Sequence, residues 1–95
     1  MEIKYKIVIE KNAIKQLGKI DKSQQRMIYG YLKKNLEDIS DPRLFGKSLK
    51  GNLRNYWGYR VGDYRIIAEI NDDEIKIIVI EVGHRKDIYK KALKW

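Results

Sequence analysis

The chain has 95 residues, no cysteine, a formal net charge of +8 and a pI near 9.7. This length predicts one domain over residues 1–95, and the lack of cysteine excludes disulfides and every site that needs a thiolate. No apolar run approaches the roughly 18 residues of a membrane span, and the N-terminus lacks the composition of a signal peptide, so we predict a cytoplasmic protein without a membrane partner.

The first half of the chain predicts one strand followed by two helices. Apolar and charged residues alternate over residues 3–10, which is typical of a half-buried strand. Apolar residues then keep a helical spacing over 13–20. Asp21, with a glutamine three residues later, has the pattern of a capping box and begins a second helix, whose apolar stripe covers 28–39. Pro42 requires that this helix has ended, because the residue before a proline disfavours the helical conformation.

The second half predicts a three-stranded antiparallel meander. Apolar and polar residues alternate over 57–61 and again over 64–70, with a turn-forming Gly-Asp pair between them. The run 75–82 is apolar at both parities, which is typical of a strand inside a sheet rather than at its edge. Residues 86–94 have the apolar spacing of a short C-terminal helix.

This order of elements predicts an α+β fold in which the helical hairpin packs on one face of a single sheet. The N-terminal strand then lies beside the meander, and the other sheet face stays open. Successive side chains of a strand point to opposite faces, so Arg65 lies on the open face if the helices cover Ile66. His84 shares the parity of Ile78 and is expected under the helices. Whether Arg85 shares the face of Arg65 depends on a register that parity alone does not determine.

The positive charge is concentrated in two segments, which predicts a polyanionic partner. Residues 43–65 contain six basic side chains against one acidic, and residues 84–95 contain five against one. Trp57 is interpreted as a core residue, whereas an exposed Tyr56 or Tyr59 is a candidate platform for stacking a base. The residues predicted to bind this polyanion, which a family resemblance implies is RNA, are Lys47, Lys50, Arg54, Tyr56, Arg60, Lys86 and Lys90.

Two stretches carry a resemblance to a known family. The segments "LKGNLRNYWGYRVGDYRIIAEI" and "IIVIEVGHRKDIYK" resemble the RelE/ParE superfamily of toxins from type II toxin–antitoxin pairs, and the match covers essentially the whole chain. The most specific pieces are "YRVGDYRI" and "GHRKDIY". The resemblance implies a RelE-like fold similar to microbial ribonucleases. RelE-like members cut messenger RNA on the ribosome, ParE-like members poison DNA gyrase, and a small antitoxin silences both.

The resemblance also implies candidate catalytic residues. Arg65 and Arg85 stand where RelE-like enzymes keep catalytic arginines, and Tyr89 stands near the late tyrosine of that family. RelE-like enzymes keep lysines in the strand before the hairpin arginine, but residues 55–59 contain none. Lys47, Lys50 and Arg54 lie just upstream and are the alternative source of positive charge.

Proton transfer has several candidates in the sequence. His84 has a suitable unperturbed pKa near 6.5, although a packing role at a strand end is the other interpretation. Glu69 and Glu81 are alternative bases, or else ion-pair partners of the arginines.

Three functions therefore compete. The first is an endoribonuclease toxin, an mRNA interferase in which the RNA 2′-hydroxyl attacks its own phosphate, without metal or other cofactor, while arginines stabilise the charge. The alternatives are a gyrase-inhibiting toxin without nuclease chemistry and an RNA-binding module without toxicity. For either toxin we expect a cognate acidic, RelB-like antitoxin in a toxin–antitoxin hetero-oligomer.

Overall fold

A five-stranded sheet with two helices on one face forms the fold of the chain. The computed structural model describes residues 3–86, apart from the side chain of Asn52. The strand order is β1-β5-β4-β3-β2, and all neighbours are antiparallel except β1 and β5, which are parallel. The elements are β1 (Lys6–Ile9), α1 (Lys11–Gly18), α2 (Lys22–Tyr31), a π-helical turn (Leu32–Leu36), β2 (Lys47–Ser48), a 3-10 turn (Gly51–Leu53), β3 (Trp57–Val61), β4 (Tyr64–Asn71) and β5 (Lys76–His84).

The predicted α+β fold is confirmed, with β5 inside the sheet and β1 beside it. β2 was not predicted. The prediction of a C-terminal helix over 86–94 lies, apart from its first residue, outside the described residues. The prediction of a single domain over 1–95 stays a prediction for the same reason. None of the helices within residues 3–86 has the length and apolar content of a membrane span.

The second predicted helix is interrupted by a change of helical pitch. Asp21 caps α2 as expected, because its carboxylate accepts a hydrogen bond from the Ser23 backbone N–H at 3.3 Å. At the other end the Glu37 N–H donates to the Leu32 carbonyl at 2.8 Å, which closes a π turn. Asp38 then adopts a positive φ of 64° and turns the chain back along β1. Leu32 and Leu36, at the two ends of this turn, are both buried.

The segment after the π turn covers the outer edge of β1. The Tyr5 N–H donates to the Ile39 carbonyl, and the Asp38 N–H donates to the Tyr5 carbonyl, at 2.9 and 3.0 Å. The Glu37 carboxylate accepts a hydrogen bond from the Ile7 N–H at 3.1 Å. These bonds satisfy backbone groups that would otherwise offer a pairing edge to another chain.

The main core lies between the sheet and the helices. Leu17 and Ile28 from the helices pack with Tyr59, Ile66 and Val79 from the sheet, and all are nearly inaccessible to solvent. We call the other side of the sheet the distal face.

The distal face is partly covered, which corrects the expectation that it is open. Leu49 and Ile67 are 3% and 2% exposed, and Leu53, Tyr56 and Ile80 pack against them. The physical reason is that Ile67 and Ile80 present apolar surface on this face, and folding the 3-10 turn over them removes that surface from water. The covered area lies beside the position of Arg65, not over the whole face.

A bulge in β5 changes which side chains share a face. Ile67 pairs with Glu81 but Ala68 pairs with Val79, so Ile80 is an extra residue. His84 lies on the helix side of the sheet, as expected. Ile78, however, lies on the distal face, so the prediction that His84 and Ile78 share a face is wrong.

Two α1 side chains form hydrogen bonds with backbone groups in the bulged region of β5. The Gln16 side-chain oxygen accepts from the Val82 N–H at 2.7 Å, and the Asn12 amide donates to the Ile80 carbonyl at 3.3 Å. These contacts fix the strand beyond the point where β1 ends.

A polar clasp joins Tyr5, just before β1, to the loop after the π turn and to the β4–β5 turn. Asp72 accepts a bidentate interaction from Arg43 at 3.2 and 3.0 Å and a hydrogen bond from the Tyr5 hydroxyl at 2.6 Å. The bonds from Arg43 first, and from Tyr5 second, hold the pKa of the Asp72 carboxyl below its usual range. The ionised carboxylate is therefore favoured in the folded state.

Acidification is expected to destabilise the protein in part through this clasp. Because the folded-state pKa of Asp72 lies below its unfolded value of about 3.9, the clasp contributes stability above that value and loses it as pH falls through the folded-state pKa. Between about pH 7 and about pH 3, we expect the melting temperature of Asp72→Asn to fall less than that of the unmodified chain. Circular dichroism measures both. Asp73→Asn, in the same turn, is the control. An equal loss in both variants would contradict the role of the clasp.

Candidate functional site

A basic pocket occupies the end of the distal face that the 3-10 turn leaves uncovered. Arg60 in β3 lies directly opposite Arg65 in β4, and Lys47 in β2 lies opposite Gly58 in β3. The pocket has a volume of about 270 Å³ and is lined by Gly46, Lys47, Gly58, Tyr59, Arg60 and Arg65. We call it the Arg65 pocket.

The pocket combines positive charge with open space. Arg60 and Arg65 place two positive charges directly opposite each other on neighbouring strands, an arrangement that by itself is unfavourable in a sheet. Space is available because Gly58 has no side chain and because the β5 neighbour of Arg65 is also a glycine, Gly83. Such a pocket fits an anion.

Arg65 is held firmly, whereas its neighbours reach into solvent. Arg65 is only 8% exposed, and its Nη1 lies 3.5 Å from the Tyr64 carbonyl oxygen. Lys47 and Arg60 are exposed. A guanidinium with protein on most sides acts through a lower dielectric than a free side chain, which strengthens its attraction for a phosphate oxygen.

His84 does not belong to this pocket. It lies opposite Tyr64 in the neighbouring strand, with the two rings 5.5 Å apart and nearly perpendicular. Its Nδ1 accepts a hydrogen bond from the Lys86 backbone N–H at 3.2 Å. Tyr64 packs against the main core on the helix side, so His84 and Arg65 lie on different faces. The geometry favours the packing interpretation of His84.

Arg85 follows β5 at the same end of the sheet as Arg65. Its backbone N–H donates to the Asp63 carbonyl at 2.8 Å, in the turn just before β4, and its side chain is exposed. Lys86 is also exposed. Tyr89 and Lys90 lie outside the described residues, and their predicted roles stay predictions.

Of the two candidate carboxylates, Glu81 lies nearer to Arg65. Glu81 pairs with Ile67, two residues along β4 from Arg65, so the two are diagonal neighbours on the distal face, at about 7–8 Å between their backbones. Glu69 pairs with Ile78 further from the pocket and is exposed. Glu81 is therefore the carboxylate best placed for proton transfer beside Arg65.

The remaining predicted residues separate into two groups. Arg54 and Tyr56 line a second pocket of about 200 Å³, which we call the Arg54 pocket; its lining is Arg43, Ser48, Arg54, Asn55, Tyr56, Trp57 and Ile70. Lys50 is exposed just before the 3-10 turn and lines neither pocket.

The aromatic residues of β3 are structural. Tyr59 is fully buried, and its hydroxyl donates to the Pro42 carbonyl at 2.5 Å, so the expectation that it stacks a base is wrong. Burial also raises the pKa of the Tyr59 hydroxyl. Trp57 packs against the core and its Nε1 donates to the Phe45 carbonyl at 2.7 Å, as its predicted core role requires.

Two contributors were missed at the sequence level. β2, which places Lys47 beside Arg65, is only two residues long and has no alternating pattern. Arg43 was counted as basic charge but not assigned to a site. The available signal was Gly46, because a glycine before Lys47 indicates a turn or a close backbone approach.

A third concave surface is mainly apolar, with only Lys33 and Glu37 as charged side chains in its lining. It has a volume of about 330 Å³ between β1 and α2, lined mainly by Ile7, Ile9, Tyr29 and Leu32. An apolar pocket with a few polar groups is a usual candidate for a site, but the carboxylate of this one, Glu37, already accepts a hydrogen bond from the backbone of β1. Within residues 3–86, no three metal-ligating side chains come together.

Comparison with known proteins agrees with this fold. The family model described as "ParE toxin of type II toxin-antitoxin system, parDE" matches residues 7–89. The chain is similar to Toxin RelG of Mycobacterium tuberculosis, with 34% identity over 55 residues, which are 57% of this chain and 63% of that toxin. It is similar to Toxin RelE3 of Methanocaldococcus jannaschii, with 46% identity over 55 residues, 58% of this chain and 59% of that toxin. Both matches span less than two thirds of the relative's own length.

Solved structures extend the similarity to nearly the whole fold. The toxin–antitoxin complex RelBE2 from Mycobacterium tuberculosis gives a TM-score of 0.79 at 22% identity, covering 90% of this chain and 95% of that chain. Toxin RelE of E. coli, as a mutant in the free state, gives 0.71 at 20% identity, covering 95% of each. The RelB-RelE antitoxin–toxin complex from Methanococcus jannaschii gives 0.58 at 31% identity, covering 88% and 96%.

Proposed function

The chain belongs to the ParE toxin family of type II toxin–antitoxin systems, and from the geometry of its basic pocket we propose that it is an endoribonuclease toxin that cleaves messenger RNA on the ribosome. The observation that carries the proposal is the Arg65 pocket, where Lys47, Arg60 and Arg65 surround a space with room for a phosphate. Three cations around one cavity suit the negative charge that develops on a phosphate during cleavage.

The proposed chemistry is cleavage by the RNA itself. The 2′-hydroxyl attacks the adjacent phosphorus, the 5′-oxygen of the next nucleotide leaves, and the phosphate oxygens carry extra negative charge in the transition state. Arg65 supplies a rigid fork of donors to these oxygens. Lys47 takes the place of the lysines that residues 55–59 lack, because β2 brings it beside Gly58.

Proton transfer is assigned to groups near Arg65. Glu81 is the candidate base among the described residues, because it shares the distal face with Arg65. Arg85 adds positive charge from the end of β5, and Tyr89 stays the candidate acid that the resemblance implies. His84 is assigned no step, since it packs on Tyr64.

The partner that silences this activity is proposed to be an acidic antitoxin. Two of the similar solved structures are complexes of a toxin with an antitoxin. The net charge of +8 favours an acidic partner segment that folds as it binds and neutralises the basic surface.

Mapping of transcript ends tests the proposal. We expect expression of the chain to create new 5′ ends within translated messages, and to create none when translation is blocked. The family model is that of ParE toxins, so gyrase inhibition is the second candidate. It predicts that purified protein blocks DNA supercoiling while transcripts stay intact. That result, or growth arrest without any new ends, would contradict the nuclease proposal.

A further inference from the structure

The Arg54 pocket has the chemistry of a nucleotide site. Arg54 offers a guanidinium for a phosphate, Ser48 and Asn55 offer hydrogen-bonding side chains, and Tyr56 and Trp57 offer partly buried ring surface. Side chains of these three kinds in one pocket match the three parts of a nucleotide: phosphate, base edge and base face.

Both arginines of the pocket are available to an anion. The carboxylate of Asp72 orients Arg43 through two of its five N–H donors, which leaves the others for a ligand. No acidic side chain within residues 3–86 forms a salt bridge with Arg54. The clasp therefore fixes one guanidinium in place while the other stays exposed beside it.

The two basic pockets are separated by a single short strand. Lys47 lines the Arg65 pocket and the next residue, Ser48, lines the Arg54 pocket, because successive side chains of β2 point to opposite faces. β2 is the edge strand of the sheet, so nothing in the sheet lies beyond it. Neighbouring residues of one edge strand therefore line the two pockets, so an extended chain that crosses this edge passes both of them.

We propose that the Arg54 pocket binds the nucleotide adjacent to the one whose phosphate occupies the Arg65 pocket, on the same single-stranded RNA. This inference rests on the proposed function. It adds a subsite that sets how many nucleotides the protein contacts and orients the strand across the β2 edge.

RNA binding measured without cleavage tests the subsite. The probe is a series of single-stranded RNA oligonucleotides of increasing length, carrying 2′-O-methyl groups so that the 2′-oxygen cannot attack. We expect Arg54→Gln to leave binding of the shortest RNA unchanged and to weaken binding of longer RNA. For the longer RNA, we plot the logarithm of the binding constant against the logarithm of salt concentration. We expect the slope of this plot to become shallower by about 0.7 in Arg54→Gln, the value for one phosphate contact on a single strand.

Matched variants separate the possible outcomes. Arg26→Gln makes the same charge change on the exposed surface of α2 and should bind like the unmodified chain, with unchanged melting temperatures for both variants. A loss that is equal at every RNA length, or an unchanged salt slope, overturns the subsite while the proposed function stands. The subsite is also overturned if Arg54→Gln weakens only binding of the antitoxin, because the pocket is then a protein contact. Failure of the unmodified chain to bind these RNAs overturns the subsite, whereas the absence of new 5′ ends in translated messages overturns the proposed function.

Discussion

Replacement of Arg65 by alanine is expected to slow RNA cleavage by about 10²- to 10³-fold, the usual cost of removing one preorganised donor to developing charge. The expected loss is large because Arg65 is only 8% exposed and lines the pocket, so its guanidinium is held in place before RNA binds. Lys47 and Arg60 remain in the variant and still attract RNA. The rate of cleavage should therefore fall much more than the affinity for RNA, in single-turnover cleavage and binding measurements.

Three further variants make the Arg65 result interpretable. Arg65→Lys keeps the charge but loses the planar fork, and it should recover only part of the rate. Arg26→Ala removes the same charge from the surface of α2 and should leave the rate unchanged. Arg85→Ala should lower the rate without altering the melting temperature, since the Arg85 side chain is exposed. Equal cleavage by Arg65→Ala and the unmodified chain, with both folded, would rule out Arg65 as the stabilising group.

Gly46→Ala is expected to cause the largest loss of stability among single methyl additions near the site. Gly46 has a φ of +77°, and a Cβ there would lie 2.3 Å from the Gly58 carbonyl oxygen and 2.8 Å from Trp57 Nε1. The positive φ costs a residue with a side chain about 1–2 kcal/mol. The steric overlap adds about 1–3 kcal/mol, because the nearest atom is backbone that must shift.

Gly51→Ala is the matched control for that variant. Gly51 has a similar φ of +63°, but a Cβ there has nothing within 4 Å. It should lose only the conformational part, about 1–2 kcal/mol, in denaturant unfolding. Because Gly46 packs on the strand that pairs with Lys47, only Gly46→Ala should also weaken RNA binding. Equal stability losses in the two variants would show that the close approach of Gly46 to Gly58 is not a constraint.

These predictions share one structural basis, the attachment of β2 to the edge of the meander. Arg60 and Arg65 lie directly opposite each other on the distal face. From β2, Lys47 lines the Arg65 pocket and Ser48 lines the Arg54 pocket. The two-residue strand thus contributes one residue to each of the two basic pockets.

Side-chain periodicity was sufficient to predict most of the fold. The alternation over 64–70 predicted β4, the doubly apolar run over 75–82 predicted an interior strand, and Asp21 predicted the start of α2. These features are local. A strand or a helix buries one face, and the spacing of its own apolar residues identifies that face. The basic segments and the family resemblance likewise made Arg65 a candidate catalytic residue from the sequence.

Other features were decided only by the tertiary structure. The bulge at Ile80 puts His84 on a different face from Ile78, the 3-10 turn covers Ile67, and β2 carries Lys47 to Gly58. Each depends on contacts between residues far apart in the chain, such as the hydrogen bond from Val82 to Gln16. Residue order determined which segments form strands and helices, because that choice follows from local periodicity. Register and packing determined which charges meet, because a shift of one residue sends every side chain of a strand to the opposite face.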